Sequence, residues 1–596
     1  MESREARTWQ IQVRDTNVVL AGGLGTRQVA NGREDHLWFS SPQSTPVGKE
    51  QVQAEGMRTH VLLNVVVGAS VVCSVVFANG ILDSVKELLG GDDQRILAQT
   101  AVDDEVCVYE WSSLSCEPAD SCSLQYQLGD VTPSQACRVT DSSDSAKTPQ
   151  QFHLAFAGEE AGTGMTISWT TFALEEDPAV WIGSSDTNVA QVKNAPIETK
   201  SYYKDDDYEL YSYHAVVTGL TANTKYFYKV GSSSDTKFQS AVNSFTTARE
   251  SGDASPFTIA VFGDMGVDDN SVATSKYVNS LVGEVDFVYH LGDVSYADNY
   301  FLTAKNVFGF YYEQVYNKFM NSMTNVMRQM AYMVLVGNHE AECHSPTCLL
   351  SNSKKDQLGN YSAFNSRFRM PSPESGGVLN MWYSFEYASV HFTTLSSETD
   401  YPNAPSNAYL TKRVYGSFGN QLAWLEEDLK AADANRDNVP WLVVGIHRPM
   451  YTIRSCDAKG VPNNDYEALN VQEAFEALFI KYKVDLVLQG HVHAYERHYP
   501  TANSSAIMGG VSKDNATYTN PKAPVYVISG AGGGPEGHFQ YKNPASPDWL
   551  VLMDNTHFGI CKLSVTPTNL TLTMIASATG TVHDEFSIIK SQDVKQ

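Results

Sequence analysis

The chain has 596 residues, with 42 Lys and Arg against 68 Asp and Glu, and a formal net charge of -26 at pH 7. This length exceeds what one hydrophobic core supports, so we expect several domains. A hydrophobic fraction of 42% is typical of a globular protein and excludes a disordered or fibrous chain. The acidic balance argues against nucleic-acid binding, which depends on Lys and Arg patches. It also repels anionic substrates, so any phosphate chemistry needs a local positive centre such as metal ions.

An apolar run at residues 61–78 follows Met57 and Arg58 and ends at the small residue Ala78. This pattern is typical of a signal peptide at residues 57–79. Met57 would then be the biological start, and residues 1–56 a doubtful N-terminal extension. The alternative is an uncleaved membrane anchor, because the run is just long enough to span a bilayer. Without that anchor we expect no stable membrane association, and N-terminal sequencing of the natural protein separates the two alternatives.

Eight of the nine cysteines lie outside the apolar run, and no CxxC pair is present. This usage favours disulfides in an oxidising compartment over a Cys-ligated zinc site. Cys343 could close a short loop with Cys348, and the four cysteines of residues 80–150 could staple one another in a segment that ends in a linker. Glycosylation sequons occur at Asn360, Asn503, Asn515 and Asn569. Together with the signal-like run they predict a secreted, extracellular or vacuolar-lysosomal glycoprotein.

Residues 151–250 show short β runs separated by turn signals, at 152–157, 165–172, 179–183, 211–218, 226–230 and 244–247. Several of these runs alternate between apolar and polar residues, which predicts an all-β sandwich. No cluster of titratable residues stands out there. We therefore interpret this domain as a structural or substrate-gating module.

Five apolar runs in residues 255–510, at 257–262, 285–291, 331–336, 441–446 and 484–489, each end in a polar cluster, as expected of strands in an α/β domain. A helix is predicted at 470–482, and further strands at 525–529, 559–565, 570–575 and 586–589 complete this domain within residues 511–596. The Gly-rich stretch at 530–534 lacks the Lys and Ser/Thr of a phosphate-binding loop, which favours a tight turn near the site. The clusters are Gly263-Asp264-Met265-Gly266, Gly292-Asp293-Val294-Ser295-Tyr296-Ala297-Asp298, Gly337-Asn338-His339-Glu340, His447-Arg448-Pro449 and Gly490-His491-Val492-His493.

Each cluster alone has a structural explanation, such as a helix cap or a buried histidine. Five clusters that each follow a buried strand point instead to a shared site. His491 and His493 are expected to point the same way from an extended segment. Carboxylate oxygens and imidazole nitrogens suit divalent first-row metals, and phenolate suits a hard trivalent ion. Two such metals can clamp a phosphate and activate water.

In this order the five clusters resemble the purple acid phosphatases, a branch of the calcineurin-like metallophosphoesterases. The resemblance runs from about residue 151 to 589. It implies an α/β catalytic domain, with a two-sheet β core flanked by helices, preceded by a fibronectin-III-like all-β sandwich. The wider superfamily has a histidine ligand at the position of Gly266, and this branch replaces it with a tyrosine, here Tyr296. The resemblance therefore implies an Fe(III) phenolate.

Carried over residue by residue, the resemblance implies that Asp264, Tyr296 and His493 bind Fe(III). It implies that Asn338, His447 and His491 bind a divalent ion (Zn, Mn or Fe), that Asp293 bridges, and that a metal-activated hydroxide attacks phosphorus. It also implies that His339 stabilises the phosphate or protonates the leaving group. Asn338, His339 and Arg454 are the expected substrate-binding residues.

One segment departs from the family. Plant members carry extra histidines several residues after the His447 motif, whereas residues 451–457 of this chain contain none. Arg454 could bind phosphate there as a fixed cation, or it could be a solvated loop residue.

The leading hypothesis is an acid phosphatase acting on small phosphate monoesters. A phosphodiesterase or nucleotide pyrophosphatase and a catalytically silent binding protein remain the alternatives, and the pattern predicts no particular oligomeric state.

Overall fold

The computed structural model describes residues 144–205, 208–302, 309–406, 413–463, 467–541 and 546–591, together with the backbone of five strands nearer the N-terminus. The chain forms two compact units, Met1–Asp104 and Glu105–Gln596. The first contains β1 (Arg7–Arg14), β2 (Asn17–Leu24), β3 (Val52–Gln53), β4 (Val61–Val66) and β5 (Val71–Phe77). These strands form one sheet in the order β3-β2-β1-β5-β4.

The apolar run at 61–78 therefore contains two antiparallel strands, β4 and β5. Among the helices that the structure describes, none has the length and apolar character needed to cross a bilayer. The signal peptide at residues 57–79 is a statement about cleavage of the chain, and it stays a prediction. Cys107, Cys116, Cys122 and Cys137 lie outside the described residues, as does most of the predicted 80–150 segment.

The second unit begins with a β-sandwich. Its strands are β6 (Gln150–Ala157), β7 (Gly164–Thr171), β8 (Pro178–Ser185), β9 (Asn188–Gln191), β10 (Ile197–Lys200), β11 (Lys204–Asp205), β12 (Tyr208–Glu209), β13 (Tyr211–Thr218), β14 (Lys225–Ser232) and β15 (Asn243–Thr246). The orders β10-β13-β7-β6 and β15-β14-β8-β9 define two four-stranded sheets, with β11 and β12 as a separate pair. Trp169 on β7 stacks on its cross-strand partner Tyr213 at 5.2 Å, and both are buried. The predicted sandwich is confirmed.

The α/β domain follows, with fifteen strands among its described residues. They are β16 (Phe257–Phe262), β17 (Phe287–His290), β18 (Tyr332–Val334), β19 (Tyr383–Tyr387), β20 (Val390–Leu395), β21 (Trp441–Ile446), β22 (Leu486–Gln489), β23 (Tyr495–Ala502), β24 (Ser505–Ala506), β25 (Thr517–Thr519), β26 (Val525–Ser529), β27 (Leu550–Asp554), β28 (Gly559–Thr566), β29 (Asn569–Ala576) and β30 (Val582–Ile589). One sheet has the order β18-β17-β16-β28-β29-β30-β25. The other has the order β19-β20-β21-β22-β26-β23-β24, with β27 paired to β23. The predicted two-sheet core is confirmed, and strands from 511–596 belong to both sheets.

Helices flank the two sheets. They are α1 (Val272–Ser280), α2 (Tyr312–Ser322), α3 (Thr324–Met327), α4 (Pro346–Leu350), α5 (Asn352–Leu358), α6 (Ser362–Arg367), α7 (Ser372–Ser375), α8 (Gln421–Ala434) and α9 (Ala468–Lys481). The helix predicted at 470–482 is α9, which buries Val471, Phe475 and Phe479 at helical spacing. The predicted disulfide between Cys343 and Cys348 forms and precedes α5, while Cys456 and Cys561 are free thiols in the described part.

A buried ion pair joins the sandwich to the α/β domain. Arg367 Nη2 donates to Glu313 Oε2 at 2.8 Å, and both side chains are fully buried. From the sandwich, Gln151 accepts from Arg367 Nη1 at 3.0 Å and Tyr202 accepts from Nε at 2.7 Å. All three nitrogen atoms of the Arg367 guanidinium therefore donate to polar groups, which is the condition for burying a charge.

Candidate metal centre

The predicted site residues follow parallel strands of two different sheets. The ladder β16-β17-β18 is parallel, as is β21-β22, so each set of carboxyl ends lies at one edge. Asp264 follows β16, Asp293 and Tyr296 follow β17, and Asn338 follows β18. From the second sheet, His447 follows β21 and His491 follows β22. The seven predicted ligands therefore meet between the carboxyl ends of both sheets.

Four of these residues have a left-handed backbone although none is glycine: Asp264 (φ +60°), Asp293 (φ +52°), Tyr296 (φ +53°) and His491 (φ +69°). Such conformations cost on the order of 1–3 kcal/mol each and persist only where the surroundings enforce them. Hydrogen bonds do so here: Asp264 N donates to Gly292 O at 3.1 Å, and His491 N donates to Asp264 Oδ2 at 2.9 Å. Strain concentrated at one point of the fold is typical of a functional site.

The first group of ligand candidates surrounds the Tyr296 hydroxyl. Tyr296 Oη lies 3.3 Å from Asp264 Oδ1 and 2.8 Å from His493 Nε2. His493 Nε2 lies 3.5 Å from Asp264 Oδ1. One phenol, one carboxylate and one imidazole thus converge, and the buried Tyr296 brings an oxygen donor that suits a hard trivalent ion.

Gly266 and Tyr296 are coupled by packing. A Cβ at Gly266 would lie 3.2 Å from Tyr296 Cδ2, and Gly266 has φ +69°. A larger side chain at residue 266 would therefore press on the Tyr296 ring. This contact gives a physical reason for reading the two positions as a pair.

The second group surrounds His447. His447 Nε2 lies 3.1 Å from Asp293 Oδ2 and 3.3 Å from Asn338 Oδ1. One ligand atom from each of Asp293, His447 and His491 lies within 4.8 Å of the other two. The group offers two imidazoles, a carboxylate and a neutral amide oxygen, which suits a divalent ion.

Backbone carbonyls set the tautomers of two histidines. His447 Nδ1 lies 2.7 Å from Leu291 O, and His493 Nδ1 lies 3.0 Å from Gly537 O. A carbonyl only accepts, so Nδ1 carries the proton in both rings. Each ring therefore presents Nε2 to the cluster, which is the arrangement that metal-binding histidines show.

The histidines and carboxylates of the cluster shift the pKa values of one another. Burial disfavours the charge on His447, but Asp293 outweighs burial and raises the pKa of His447 to about 10. Burial likewise opposes the charge on Asp293, yet His447 and His339 hold the pKa of Asp293 below its ordinary range. A cation is thus favoured between these groups, and a metal ion in that place displaces the proton. The donor types and their convergence fit two metal ions.

His339 lies beside the cluster and is held from behind. Its Nδ1 lies 2.8 Å from Asp298 Oδ2, and its ring packs on the Tyr296 ring with centroids 4.3 Å apart. His344 Nδ1 contacts the same Asp298 oxygen at 2.9 Å. Burial lowers the pKa of His339, but Asp298 and Asp293 outweigh burial and raise it well above its ordinary value. The His339 Nε2 atom faces Asp293 Oδ2 and Glu536 Oε1, each at 3.9 Å.

The sequence motifs assigned no role to three residues that support the site: Glu340, Arg448 and Glu536. Arg448 Nη1 lies 3.3 Å from His491 Nε2 and is fixed by Glu398 and Glu467. Glu340 and Arg448 both lie inside the predicted polar clusters. Their position beside predicted site residues is the sequence feature that could have indicated a role for them. Glu536 follows the Gly-rich stretch, whose predicted position near the site is confirmed, because a Cβ at Gly534 would lie 2.6 Å from His493 Cε1.

The structure differs from the sequence prediction at His491 and His493, and it also places Arg454. His491 and His493 lie on a bend rather than on an extended segment, so the expected extended conformation is wrong. The left-handed His491 turns toward Arg448, whereas His493 turns toward Tyr296. Arg454 stacks on the Phe539 ring at 4.4 Å, and Phe539 N donates to His493 O at 3.0 Å. Arg454 therefore lies in the segment next to the cluster.

Comparison with known proteins agrees over three stretches of the second unit. Residues 149–247 match the purple acid phosphatase N-terminal domain, residues 257–495 the calcineurin-like phosphoesterases, and residues 523–585 the iron/zinc purple acid phosphatase-like C-terminal domain. The chain is 31% identical over 494 residues to acid phosphatase A of Cryphonectria parasitica, covering 74% of this chain and 92% of that protein.

Two further similarities concern plant proteins. The chain is 27% identical over 395 residues to the Fe(3+)-Zn(2+) purple acid phosphatase 12 of Arabidopsis thaliana, covering 65% of this chain and 73% of that one. The solved structure of the purple acid phosphatase PPD1 from yellow lupin (Lupinus luteus) superposes with a TM-score of 0.56 at 23% identity, covering 75% of each chain. That structure supports the fold. The chain belongs to the purple acid phosphatase family of the calcineurin-like phosphoesterases and is a phosphate-monoester hydrolase of that family.

Proposed function

We propose that this chain is an acid phosphatase whose dinuclear centre is held by the seven residues described above. Asp264, Tyr296 and His493 hold Fe(III). Asn338, His447 and His491 hold a divalent ion, and Asp293 lies between the two groups. The observation that carries this assignment is the Tyr296 hydroxyl, which lies 2.8 Å from His493 Nε2 and 3.3 Å from Asp264 Oδ1.

The two metal ions, when bound, neutralise phosphate charge and lower the pKa of water for in-line attack. The printed name of the Arabidopsis relative, an Fe(3+)-Zn(2+) phosphatase, supports zinc as the divalent ion. Manganese or iron remains compatible with the same oxygen and nitrogen donors. The local positive centre also explains how an acidic chain with a net charge of -26 handles an anionic substrate.

The chain's own acid–base group is His339. Asp298 fixes its Nδ1 side, and packing on Tyr296 fixes the ring plane. Its Nε2 is left facing the cluster, where it donates a hydrogen bond to a phosphate oxygen or a proton to the leaving alkoxide. Asn338 and His339 border the substrate, and Arg454, held over Phe539, contributes a fixed cation at the rim.

Replacing His339 tests this role. His339→Ala lowers kcat on a phosphate monoester by about 100-fold, the usual contribution of a general acid, and leaves both metals bound. Metal loss from the variant would make His339 structural and overturn its assignment. A phosphate diester assayed beside the monoester separates the phosphatase from a phosphodiesterase or nucleotide pyrophosphatase. The filled ligand set argues against a silent binding protein.

Secretion to an extracellular or vacuolar compartment completes the proposal. The Cys343–Cys348 disulfide is compatible with an oxidising environment. Asn360 and Asn503 are exposed, and Asn515 and Asn569 are half-buried, so the first two are the favoured glycosylation sites. The proposed boundaries are 57–79 for a signal peptide, 151–250 for the sandwich, and 255–510 with 511–596 for the catalytic domain. Mass spectrometry of the natural protein tests the processing and glycan assignments.

A further inference from the structure

A second group of metal-binding side chains lies outside the dinuclear centre, at Asp554, His557 and His583. Asp554 ends β27, His557 lies two residues before the start of β28, and His583 lies on β30. One ligand atom of each lies within 4.8 Å of the other two. No sequence motif joins His583 to the other two residues, so only the fold reveals the group.

The Asp554 carboxylate is arranged with one oxygen held and the other directed at the histidines. Its Oδ1 accepts from Thr556 N at 2.8 Å and from Thr556 Oγ1 at 2.6 Å. Its Oδ2 lies 2.8 Å from His557 Nδ1 and 3.7 Å from His583 Nδ1. Ligands of a tetrahedral zinc ion with bonds of about 2.0–2.1 Å lie roughly 3.3 Å apart. The two observed separations bracket that spacing, so small side-chain rotations suffice.

A simple ion pair between Asp554 and His557 does not account for His583. The His557 and His583 rings lie with centroids 3.8 Å apart at an angle of 36°. Two imidazoles that face one carboxylate at this distance form a ligand set for a metal ion. The β27-β23 ladder places Asp554 opposite Tyr495, and His583 lies at a bulge of the β30-β29 ladder, between the paired residues Val582 and Asp584. A site built on strands holds its ligands in place.

We propose that Asp554, His557 and His583 bind one Zn²⁺ ion, with an open position for water, separately from the dinuclear centre. Two nitrogen donors and one oxygen favour zinc over magnesium or calcium. The three side chains are 13%, 43% and 25% exposed, so the ion enters directly from solvent.

The site touches the segment that supports His493. Asn555 Nδ2 donates to Phe539 O at 2.8 Å, and the His538 ring stacks on Phe558 at 3.8 Å. Phe539 N in turn donates to His493 O at 3.0 Å. An ion that fixes residues 554–558 therefore also fixes residues 537–539, and Zn²⁺ in excess raises the melting temperature of the loaded enzyme.

Equilibrium dialysis against Zn²⁺ tests the site on full-length protein whose dinuclear centre is already loaded. The parent binds one more equivalent of Zn²⁺ than His583→Ala or His557→Gln, or binds it at least tenfold more tightly. Asp514→Asn, which alters a fully exposed carboxylate elsewhere in the domain, serves as the control and retains the extra equivalent.

Equal Zn²⁺ binding by the parent and both histidine variants would overturn the proposal. Because His557 is 43% exposed, its replacement keeps the fold intact if His583→Ala does not. The measured quantity is the difference between parent and variant. This test of the Asp554 site therefore remains valid even if the dinuclear assignment is wrong. Phosphatase activity and total iron content test the dinuclear assignment separately.

Discussion

Glu340 ties together two loops that carry metal ligands. Its Oε2 accepts from Asp293 N at 2.9 Å and from Gly337 N at 2.8 Å, and its Oε1 accepts from Val294 N at 2.9 Å. Asp293 and Val294 follow β17, whereas Gly337 follows β18. The carboxylate thereby holds the left-handed backbone of Asp293 in place.

Glu340→Gln removes one of the two acceptor oxygens and turns an amide N–H₂ toward a backbone N–H. At least one buried donor loses its partner, which costs about 1–3 kcal/mol. We therefore expect the free energy of unfolding to fall by about 2 kcal/mol. Because the loop that positions Asp293 loosens, affinity for the divalent ion should fall about 10–100-fold, as is usual for residues that orient ligands.

Urea denaturation and competition with a chelator measure the two quantities. Glu342→Gln is the matched control, since Glu342 is equally buried but contacts Tyr415 Oη and His344 Nε2 rather than the backbone N–H groups of the ligand loops. Unchanged divalent-metal affinity in Glu340→Gln, or an equal loss in both variants, would refute the reasoning.

Two further predictions concern buried charges away from the centre. Arg367→Met leaves Glu313 as an unpaired buried charge and should destabilise the chain by about 3–5 kcal/mol in urea, while adding Glu313→Gln should recover much of the loss; equal stability of the single and double variants would contradict this. Burial opposes the charge on His391, but Asp428 at 3.2 Å and Glu386 at 3.5 Å together outweigh burial and raise the pKa of His391 to about 9. Since this pKa lies above the ordinary value of about 6.5, the stabilisation is present below pH 6.5 and disappears as pH rises through 9. His391→Gln should therefore be less stable than the parent by up to about 3 kcal/mol at pH 6, with little difference at pH 10.

The strands could be predicted because apolar runs and turn residues are local signals. The runs at 211–218, 257–262, 441–446 and 525–529 agree with β13, β16, β21 and β26 to the residue. The runs at 285–291 and 331–336 were longer than β17 and β18, because apolar residues continue into the buried loops that reach the site. Apolar character alone does not mark where a ladder ends.

The site could be predicted in its ligand types but not in its supports. Asp264, Asp293 and His447 each end an apolar run, which is a pattern visible in one dimension. Glu536 and Asp298 contact His339 through pairings that only the fold creates. The different contacts of His491 and His493 depend on one left-handed residue, and nothing in the sequence around His491 requires it.

Tyr296 carries the claim that this centre uses iron. The measurement that tests it most directly is the visible absorption spectrum of the purified, iron-loaded chain beside Tyr296→Phe, with iron counted in both. A phenolate on Fe(III) should give the parent a charge-transfer band, and the Phe variant should lose the band. Retention of the band by Tyr296→Phe, or its absence from an iron-replete parent, would contradict the assignment.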